Sequence, residues 1–328
     1  MSSVVRWGIL GTARIGRAVI QGIGDSTDNC VQAVASREWT RASEWAKELG
    51  IPRAFGSYED MLHSGEISAV YNPLPNSLHA EWTLKALEAG LPVLCEKPFA
   101  LTASDAQAVA AAAKRKNLPV AEAFMYRFHP IYAQVLDTIR SGSIGEVMAI
   151  RSAFTFNLRD RDNIRWKSEL GGGALMDLGC YCISLSRLVA GCEPVSAAGV
   201  ERRSGVDGTM IGVLEFPGNV LAHFECSFEQ YGRSFAEIEG TEGVIILPRP
   251  WFPGEHTAEF LIRREGREET VAIAGANTYR LEIEDFGQAC QTRSAPRWTV
   301  DDAVANMTVI DSLYQSARER HPVSIDRP

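Results

Sequence analysis

Gly8-Ile9-Leu10-Gly11-Thr12-Ala13-Arg14-Ile15-Gly16 closes a mostly apolar run, Val4–Leu10, and opens a helical pattern, Arg14–Ile23. Read from Gly11 it is G-x-A-x-x-G, a dinucleotide fingerprint with Ala13 in the place of the middle glycine. Gly11 permits a tight turn, Ala13 still lets backbone approach a pyrophosphate, and Gly16 lets the helix pack closely on a sheet. The helix start adds free N–H groups and the positive end of a dipole. Glycines at such a turn also serve packing alone. Its place at the first strand-to-helix turn of an alternating pattern favours the cofactor reading.

That alternation continues outward. Val31–Ala35 reads as a strand, Thr40–Leu49 as a helix and Ala69–Asn72 as a short strand. Leu78–Ala89 reads as a helix capped by Asn76 or Ser77, with Gly90 just past its end. Pro92–Cys95 is a strand, Ser104–Lys116 an Ala-rich helix, and Pro119–Ala121 begins another strand. Strands and helices in alternation with short connections predict a doubly wound parallel sheet. After Met125 the texture changes. Along Val147–Asn157, Met148, Ile150, Ser152, Phe154 and Phe156 face one way, and Ala149, Arg151, Ala153, Thr155 and Asn157 the other. Strand-like runs follow at Val195–Arg202, Thr209–Phe216, Val220–Phe228, Ser234–Glu239, Val244–Leu247 and Glu259–Arg263. A helix, Ala174–Val189, interrupts them, and a helical tail covers Val300–Arg318. The expected fold class is α/β: an N-terminal Rossmann sheet over 1–124, then an α+β domain over 125–328 with a large, mostly antiparallel open sheet. The C-terminal helix is a candidate to pack back on the first domain.

The chain has 328 residues, a net charge of −8 and no Lys/Arg-rich run, which disfavours nucleic acid and acidic membranes as partners. No apolar stretch reads as long enough to span a bilayer. The N-terminus reads as the first strand rather than a signal peptide. Seven scattered cysteines in a chain of this size read as free thiols of a cytoplasmic protein. Cys180 and Cys182 form a lone C-x-C pair, and no metal site is expected.

An NAD site calls for an acid roughly 20 residues past the glycine turn. This chain has Ala35-Ser36-Arg37, with Arg41 beyond. Ser36 can donate to a 2′-phosphate, and Arg37 can pair with it through a planar fork. Nearby Glu38 is the feature against NADP, and a solvated loop arginine is the plainer reading. NADP is expected over NAD.

Glu96-Lys97-Pro98 follows the apolar run Leu91–Cys95. A strand that ends in two opposite charges and a proline is turning away from the core at the edge where open α/β sheets bind ligands. Alone, it reads equally as a site or as a surface salt bridge.

Four stretches in order carry a family resemblance: Val70–His79, Leu94–Pro98, Glu122–Pro130 and Gly171–Tyr181. Together they resemble the Gfo/Idh/MocA oxidoreductases over nearly the whole chain. The closest likeness is to the branch that holds D-xylose dehydrogenase, dimeric dihydrodiol dehydrogenase, glucose–fructose oxidoreductase and the sugar 3-ketoreductases. The resemblance implies NADP, often tightly bound, with Lys97 as the catalytic lysine, Tyr181 as proton donor and Asp177 as the acid beside it. Histidine is common in the wider family where this chain has Tyr181. It further implies that Arg165, in Asn163-Ile-Arg-Trp166, lies near the nicotinamide, and that Leu74, Pro75, Asn76, His79 and Glu96 lie near the cofactor. The proline-rich N-terminal arm of glucose–fructose oxidoreductase is not expected, since a strand begins by Val4.

Elementary chemistry agrees with these roles. Asp177 and Tyr181 are four apart and share a helix face. A phenol with pKa near 10 needs a nearby cation such as Lys97 to act at neutral pH. The Gly171–Gly173 run lets backbone come close to a ligand. Asp177 orients substrate, tunes the lysine or merely complements the helix dipole; Tyr181 reads otherwise as a core aromatic. His79 is expected to serve packing or the cofactor loop, and His129 structure, with Arg127 or His129 at most edging a pocket. The expected reaction moves hydride between nicotinamide and a CH–OH or C=O group of a sugar or sugar-like substrate: an aldose such as xylose or glucose, or a trans-dihydrodiol. The alternatives are a nucleotide-linked keto-sugar 3-ketoreductase and a non-catalytic cofactor-sensing regulator. The resemblance implies a homodimer or homotetramer through the open sheet face, which should be moderately polar, with Ala149, Arg151, His223 and Glu225.

Overall fold

β1 (Val5–Leu10) is buried on both faces except at Arg6, as the central strand of a parallel sheet should be. The computed structural model describes residues 4–325. β1 pairs in parallel with β2 (Asn29–Ala35) and β4 (Ala69–Asn72). β3 (Arg53–Phe55), β5 (Val93–Glu96) and β6 (Val120–Ala123) complete a six-stranded sheet in the order β3-β2-β1-β4-β5-β6. That is the Rossmann order, which reverses between β1 and β4. The helices between the strands are α1 (Gly16–Gly24), α2 (Trp39–Leu49), α3 (Tyr58–Leu62), α4 (His79–Glu88) and α5 (Ala103–Lys116). Hydroxyl caps open two of them: Ser57 Oγ accepts the Asp60 N–H, and Thr102 Oγ1 that of Asp105.

The chain groups into two units. The first runs through Met125 and takes in Asn277–Val304; the second comprises Tyr126–Ala276 and the chain from Ala305. In the first, α8 (Thr278–Thr292) lies on α1, and Phe286 packs at 5.7 Å against Trp7. Trp7 is fully buried, and its indole N–H donates to Asn29 Oδ1 at 2.9 Å. A tryptophan needs such a partner once it leaves water.

The second unit holds nine strands. They are β7 (Val147–Asn157), β8 (Ser196–Ser204), β9 (Val206–Glu215), β10 (Leu221–Ser227), β11 (Glu229–Gly240), β12 (Val244–Leu247), β13 (Thr257–Arg264), β14 (Arg267–Ala274) and β15 (Val323–Ser324). Their order is β14-β13-β12-β11-β7-β10-β9-β8-β15, antiparallel throughout except for β7 beside β10. α6 (Pro130–Arg140) neighbours β13 and β14, and α7 (Cys180–Ala190) neighbours β7 and β10. α9 (Val300–Glu319) precedes the short β15.

Several expectations need correction. α4 starts at His79 behind a 3-10 turn, Asn76–Leu78, and its cap position is Leu78, with no side-chain bond. β3, α3, α6, β14, α8 and β15 were not read from the sequence. The stretch Ser168–Ala190 is apolar and long enough by composition to cross a membrane, yet 83% of its apolar window is buried in the protein, as in a core helix. The open face of the large sheet is also less polar than expected. Arg151, His223 and Glu225 do share it, but Val200, Ile211, Val213 and Leu221 stand exposed on its β8–β10 side.

Gly22 marks how tightly the first unit is packed. A Cβ there would stand 2.8 Å from the Arg280 backbone nitrogen and 2.9 Å from the Tyr279 carbonyl carbon. Backbone cannot swing aside as a side chain can. Gly22→Ala is therefore expected to destabilise by roughly 1–3 kcal/mol through overpacking, despite its better helix propensity. Urea melts should show this, and an unchanged midpoint would refute it.

Candidate active site

The carboxyl ends of β1, β2, β4 and β5 gather the predicted cofactor and lysine positions of the first unit on one edge of its sheet. At β1, Gly11 takes φ +79, a conformation glycine adopts freely, and its N–H donates to the Ala35 carbonyl. A Cβ there would reach within 3.0 Å of Leu74. Thr12, Ala13, Arg14 and Ile15 form the turn into α1, and Arg14 is exposed. Gly16 makes room for the Trp45 ring of α2, 3.0 Å from where its Cβ would stand, and so serves helix–helix rather than helix–sheet packing.

At the end of β2, Ser36 is buried and Arg37 and Arg41 are exposed. Arg41 Nε donates to Thr12 Oγ1 at 2.7 Å, joining the glycine turn to α2. The positive charge of Arg37 acts on Tyr58, a buried residue at the start of α3. Burial raises the Tyr58 pKa, against the pull of Arg37 and Arg41, so the phenol stays neutral. Tyr58 also packs edge-on to Trp82 at 4.7 Å. The sequence reading missed it, because α3 is five residues long and shows no period. The cue was Ser57-Tyr-Glu-Asp60, a capped helix start.

The loop after β4 is held from within. Asn72 is fully buried; its Nδ2 donates to the His79 carbonyl at 3.1 Å and to Thr83 Oγ1 at 3.2 Å. The His79 ring lies between two carbonyls: Nδ1 is 2.7 Å from Pro98 O, and Nε2 is 2.7 Å from Leu74 O. Burial first, and the Lys97 charge as well, push its pKa down to about 4. A neutral ring carries one N–H, so it donates to one carbonyl at a time. Through it the Leu74-Pro75-Asn76 loop is tied to the turn after β5.

That turn contains Lys97 and a cis Lys97–Pro98 peptide. Glu96 Oε1 accepts the Tyr71 hydroxyl at 2.6 Å, and Oε2 the Lys97 N–H at 3.3 Å. Glu122 Oε1 accepts the Phe99 N–H at 2.9 Å. Glu96 and Lys97 are half-buried. Tyr71, His79 and Glu122 thus hold the backbone on both sides of the lysine.

In the second unit, the glycine run leads into a π-helical turn, Leu175–Gly179, continuous with α7. Such wide turns are frequent at functional sites. They also replace the regular α-helical spacing assumed for Asp177 and Tyr181. Asp177 Oδ2 accepts Arg165 Nε at 2.6 Å, so two predicted residues form an ion pair. The Arg165 carbonyl in turn accepts the Gly173 N–H at 3.0 Å. The glycines therefore face protein rather than a ligand: the Cβ position of Gly172 is filled by the Arg165 backbone, and that of Gly173 by Asp207 and Tyr314. Tyr181 is 6% exposed and ringed by Tyr126, Phe154 and Trp251 at 5.6–5.8 Å between ring centres. Trp166 is buried, donates to the Leu158 carbonyl and packs on Phe228. Arg127 Nε donates to Ser184 Oγ at 2.8 Å and ties α7 to the turn before α6. His129 caps α6: Nδ1 accepts the Ile131 N–H, so Nε2 carries the proton and donates to Gly254 O. Both are structural.

The chain matches the NAD-binding Rossmann model of an oxidoreductase family over residues 5–124. It matches the GFO/IDH/MocA C-terminal domain model over residues 132–246. This chain belongs to the Gfo/Idh/MocA oxidoreductase family. It is 39% identical to D-xylose 1-dehydrogenase (NADP(+)) 2 of Haloferax volcanii, across 98% of this chain and 99% of that protein. It is 33% identical to a dTDP-3,4-didehydro-2,6-dideoxy-alpha-D-glucose 3-reductase of Saccharopolyspora spinosa, across 97% and 96%. A 3-ketoreductase from Actinomadura kijaniata, crystallised with NADP and TDP-benzene, superposes with a TM-score of 0.92 at 28% identity, across 96% of this chain and 98% of that one. That enzyme was also crystallised as lysine-to-alanine and tyrosine-to-phenylalanine variants, whose positions are spaced along its chain as Lys97 and Tyr181 are along this one.

The His79 clamp makes a spectroscopic prediction. Its ring signals should stay those of a neutral imidazole until the pH nears 4. A midpoint near 6.5 would show an open ring. Since unfolded histidine binds its proton near 6.5, acidification below that value favours the unfolded chain and lowers the stability of the fold.

Proposed function

We propose that this protein is an NADP-dependent dehydrogenase of a sugar or sugar-like CH–OH group, with an aldose such as D-xylose as its substrate class. The observation that carries the cofactor choice is the end of β2. Ser36 stands where an acid would hold a 2′-hydroxyl, and Arg37 and Arg41 are exposed beside it, with Arg41 tied to Thr12 of the glycine turn. These residues fit a 2′-phosphate: two cations, a hydroxyl and a glycine turn without side-chain bulk. Glu38 is exposed and makes no cap bond, so it leaves that charge balance positive. Leu74, Pro75, Asn76 and Glu96 line the same sheet edge, and Arg165 with Trp166 is assigned to the nicotinamide end.

NADP supplies the hydride acceptor, and the protein supplies orientation and a proton path. Tyr181, as a phenolate favoured by the Lys97 ammonium, would take the hydroxyl proton of the substrate alcohol and become a neutral phenol, while Lys97 would stabilise the developing alkoxide. Asp177, paired with Arg165, orients the substrate. The 39% identity to a D-xylose dehydrogenase favours an aldose, and the likeness to 3-ketoreductases makes nucleotide-linked keto-sugars the second class to assay. We place the enzyme in the cytoplasm, where its seven free cysteines would stay reduced. We also assign the exposed Val200, Ile211, Val213 and Leu221 patch to a homodimer with a second copy of this chain.

Arg37→Ala should raise the KM for NADP at least tenfold and leave that for NAD nearly unchanged, as the loss of about 1.4 kcal/mol or more of phosphate contact requires. Equal effects on both would remove the 2′-phosphate assignment. Lys97→Ala and Tyr181→Phe should each lower kcat for D-xylose oxidation by roughly 100-fold or more, with NADPH fluorescence titration little changed. Their effects should combine to less than the product of the two if they serve one step, and multiplying independently would separate them. Light scattering should report a dimer that Ile211→Lys dissociates; a dimer unaffected by that change uses another face.

A further inference from the structure

The helical turn that bears Asp177 begins on a buried acid from a distant strand. Asp207, 1% exposed on β9, accepts the Leu175 N–H on Oδ2 at 2.7 Å and the Tyr314 hydroxyl of α9 on Oδ1 at 2.8 Å. Leu175 opens the π-helical turn, and N–H groups at a helix start have no partner inside the helix. Gly173, at φ +134, leaves the space that these two side chains fill; a Cβ there would overlap Asp207 Oδ1 and stand 2.9 Å from the Tyr314 oxygen. The Asp177 N–H donates to the Gly173 carbonyl at 3.1 Å. The acid is therefore a few bonded contacts from Asp177, and Tyr181 follows one turn on.

We propose that Asp207, seated by Tyr314, is a positioning residue that fixes the start of the helix carrying Asp177 and Tyr181, and that it does so as a carboxylate. The consequence for turnover rests on the functional reading above; the anchoring does not. An ionised acceptor holds an N–H roughly twice as strongly as a neutral one. A protonated acid would keep the Leu175 bond but lose that charge assistance.

Burial raises the Asp207 pKa to about 6, against the lowering effect of the Leu175 and Tyr314 bonds. The groups that face it are Tyr314 of α9, Glu201 and register partner Arg203 of β8, and the Cys226 thiol of β10. Glu201 pushes in the same direction as burial. The sign is informative. A raised pKa means that the charged form costs the fold stability above about 6, and acidification through that value relieves the cost. The same protonation loosens the helix start. Global stability and local anchoring should thus move in opposite directions, which an ordinary structural residue does not do.

Asp207→Asn, a neutral isostere, separates the two. Amide hydrogen exchange of peptides covering Gly173–Gly179 should rise roughly fivefold to tenfold at pH 7.5, while the thermal midpoint is unchanged or higher. Tyr314→Phe should raise exchange in the same peptides with no other change. In wild type, exchange there, corrected for the intrinsic pH effect, should rise as the pH falls through about 6. In Asp207→Asn it should not. With NADP and D-xylose, kcat of Asp207→Asn should fall about tenfold and lose its inflection near that pH, with NADPH affinity within about twofold. Unchanged exchange in both variants, or faster exchange with unchanged kcat and pH profile, overturns the proposal. If wild type oxidises no sugar, the functional reading fails, and the exchange data still decide the anchor.

Discussion

The Glu96 carboxylate, next to Lys97 at the end of β5, is the group around which the neighbouring side chains of the first unit are arranged. Tyr71 donates to it from β4, and the Lys97 backbone N–H donates to it as well. Glu282 of α8 is 1% exposed, and its Oε1 has no hydrogen-bond partner among the described residues. Burial, and then the charges of Glu96 and Asp285, raise its pKa well above the usual carboxylate range, so Glu282 holds a proton. Two acids in one desolvated region cannot both ionise. Burial and Glu96 likewise hold Tyr71 and Tyr279 as neutral phenols. The carboxylate at the strand end thus meets two donors, and the turn that carries Lys97 has a fixed backbone on which to present its side chain.

This explains which parts of the molecule were legible in the sequence. The strand-end signals were strong because parallel strands bring their carboxyl ends to one edge: Gly11 and Ser36 each follow a mostly apolar strand, and Glu96 closes one. α8 was not legible because its buried face includes Glu282, a charge where the apolar period demands a hydrophobe. α6 carried a readable signal, Pro130 at its first position and Ile131, Tyr132 and Val135 inward, with His129 as an unusual cap. Asn72 and Asp207 were beyond reach for another reason. Each acts on a site residue supplied by a different element, and no local pattern records such a pairing.

The glycine run shows how a correct motif can carry an incomplete explanation. Three glycines before a helix suggest a backbone that must approach a ligand. In the folded chain the space belongs to Arg165, Asp207 and Tyr314. Arg165 is used twice, its carbonyl on Gly173 and its guanidinium on Asp177. The segment is thus stitched to two neighbours before any substrate arrives. Preorganisation of this kind lowers the ordering cost of catalysis, and the residues that supply it need not touch the reacting atoms.

The two units place different demands on variation. In the first, Gly11, Ser36 and Glu96 sit at strand ends whose positions a buried parallel sheet dictates, with Arg37 and Arg41 exposed just beyond β2. In the second, Tyr181 stands in a cage of Tyr126, Phe154 and Trp251, and the exposed Phe252 packs edge-on to Phe154. Aromatic walls can be reshaped by single substitutions without moving the helix beneath them, because Arg127, Asn306 and Asp207 bond to that helix and its leading turn independently of the walls. Relatives that act on D-xylose and on dTDP-linked keto-sugars share this architecture at 33–39% identity to this chain. In this chain the helix that bears Tyr181 is bonded in place independently of the aromatic side chains that surround its ring.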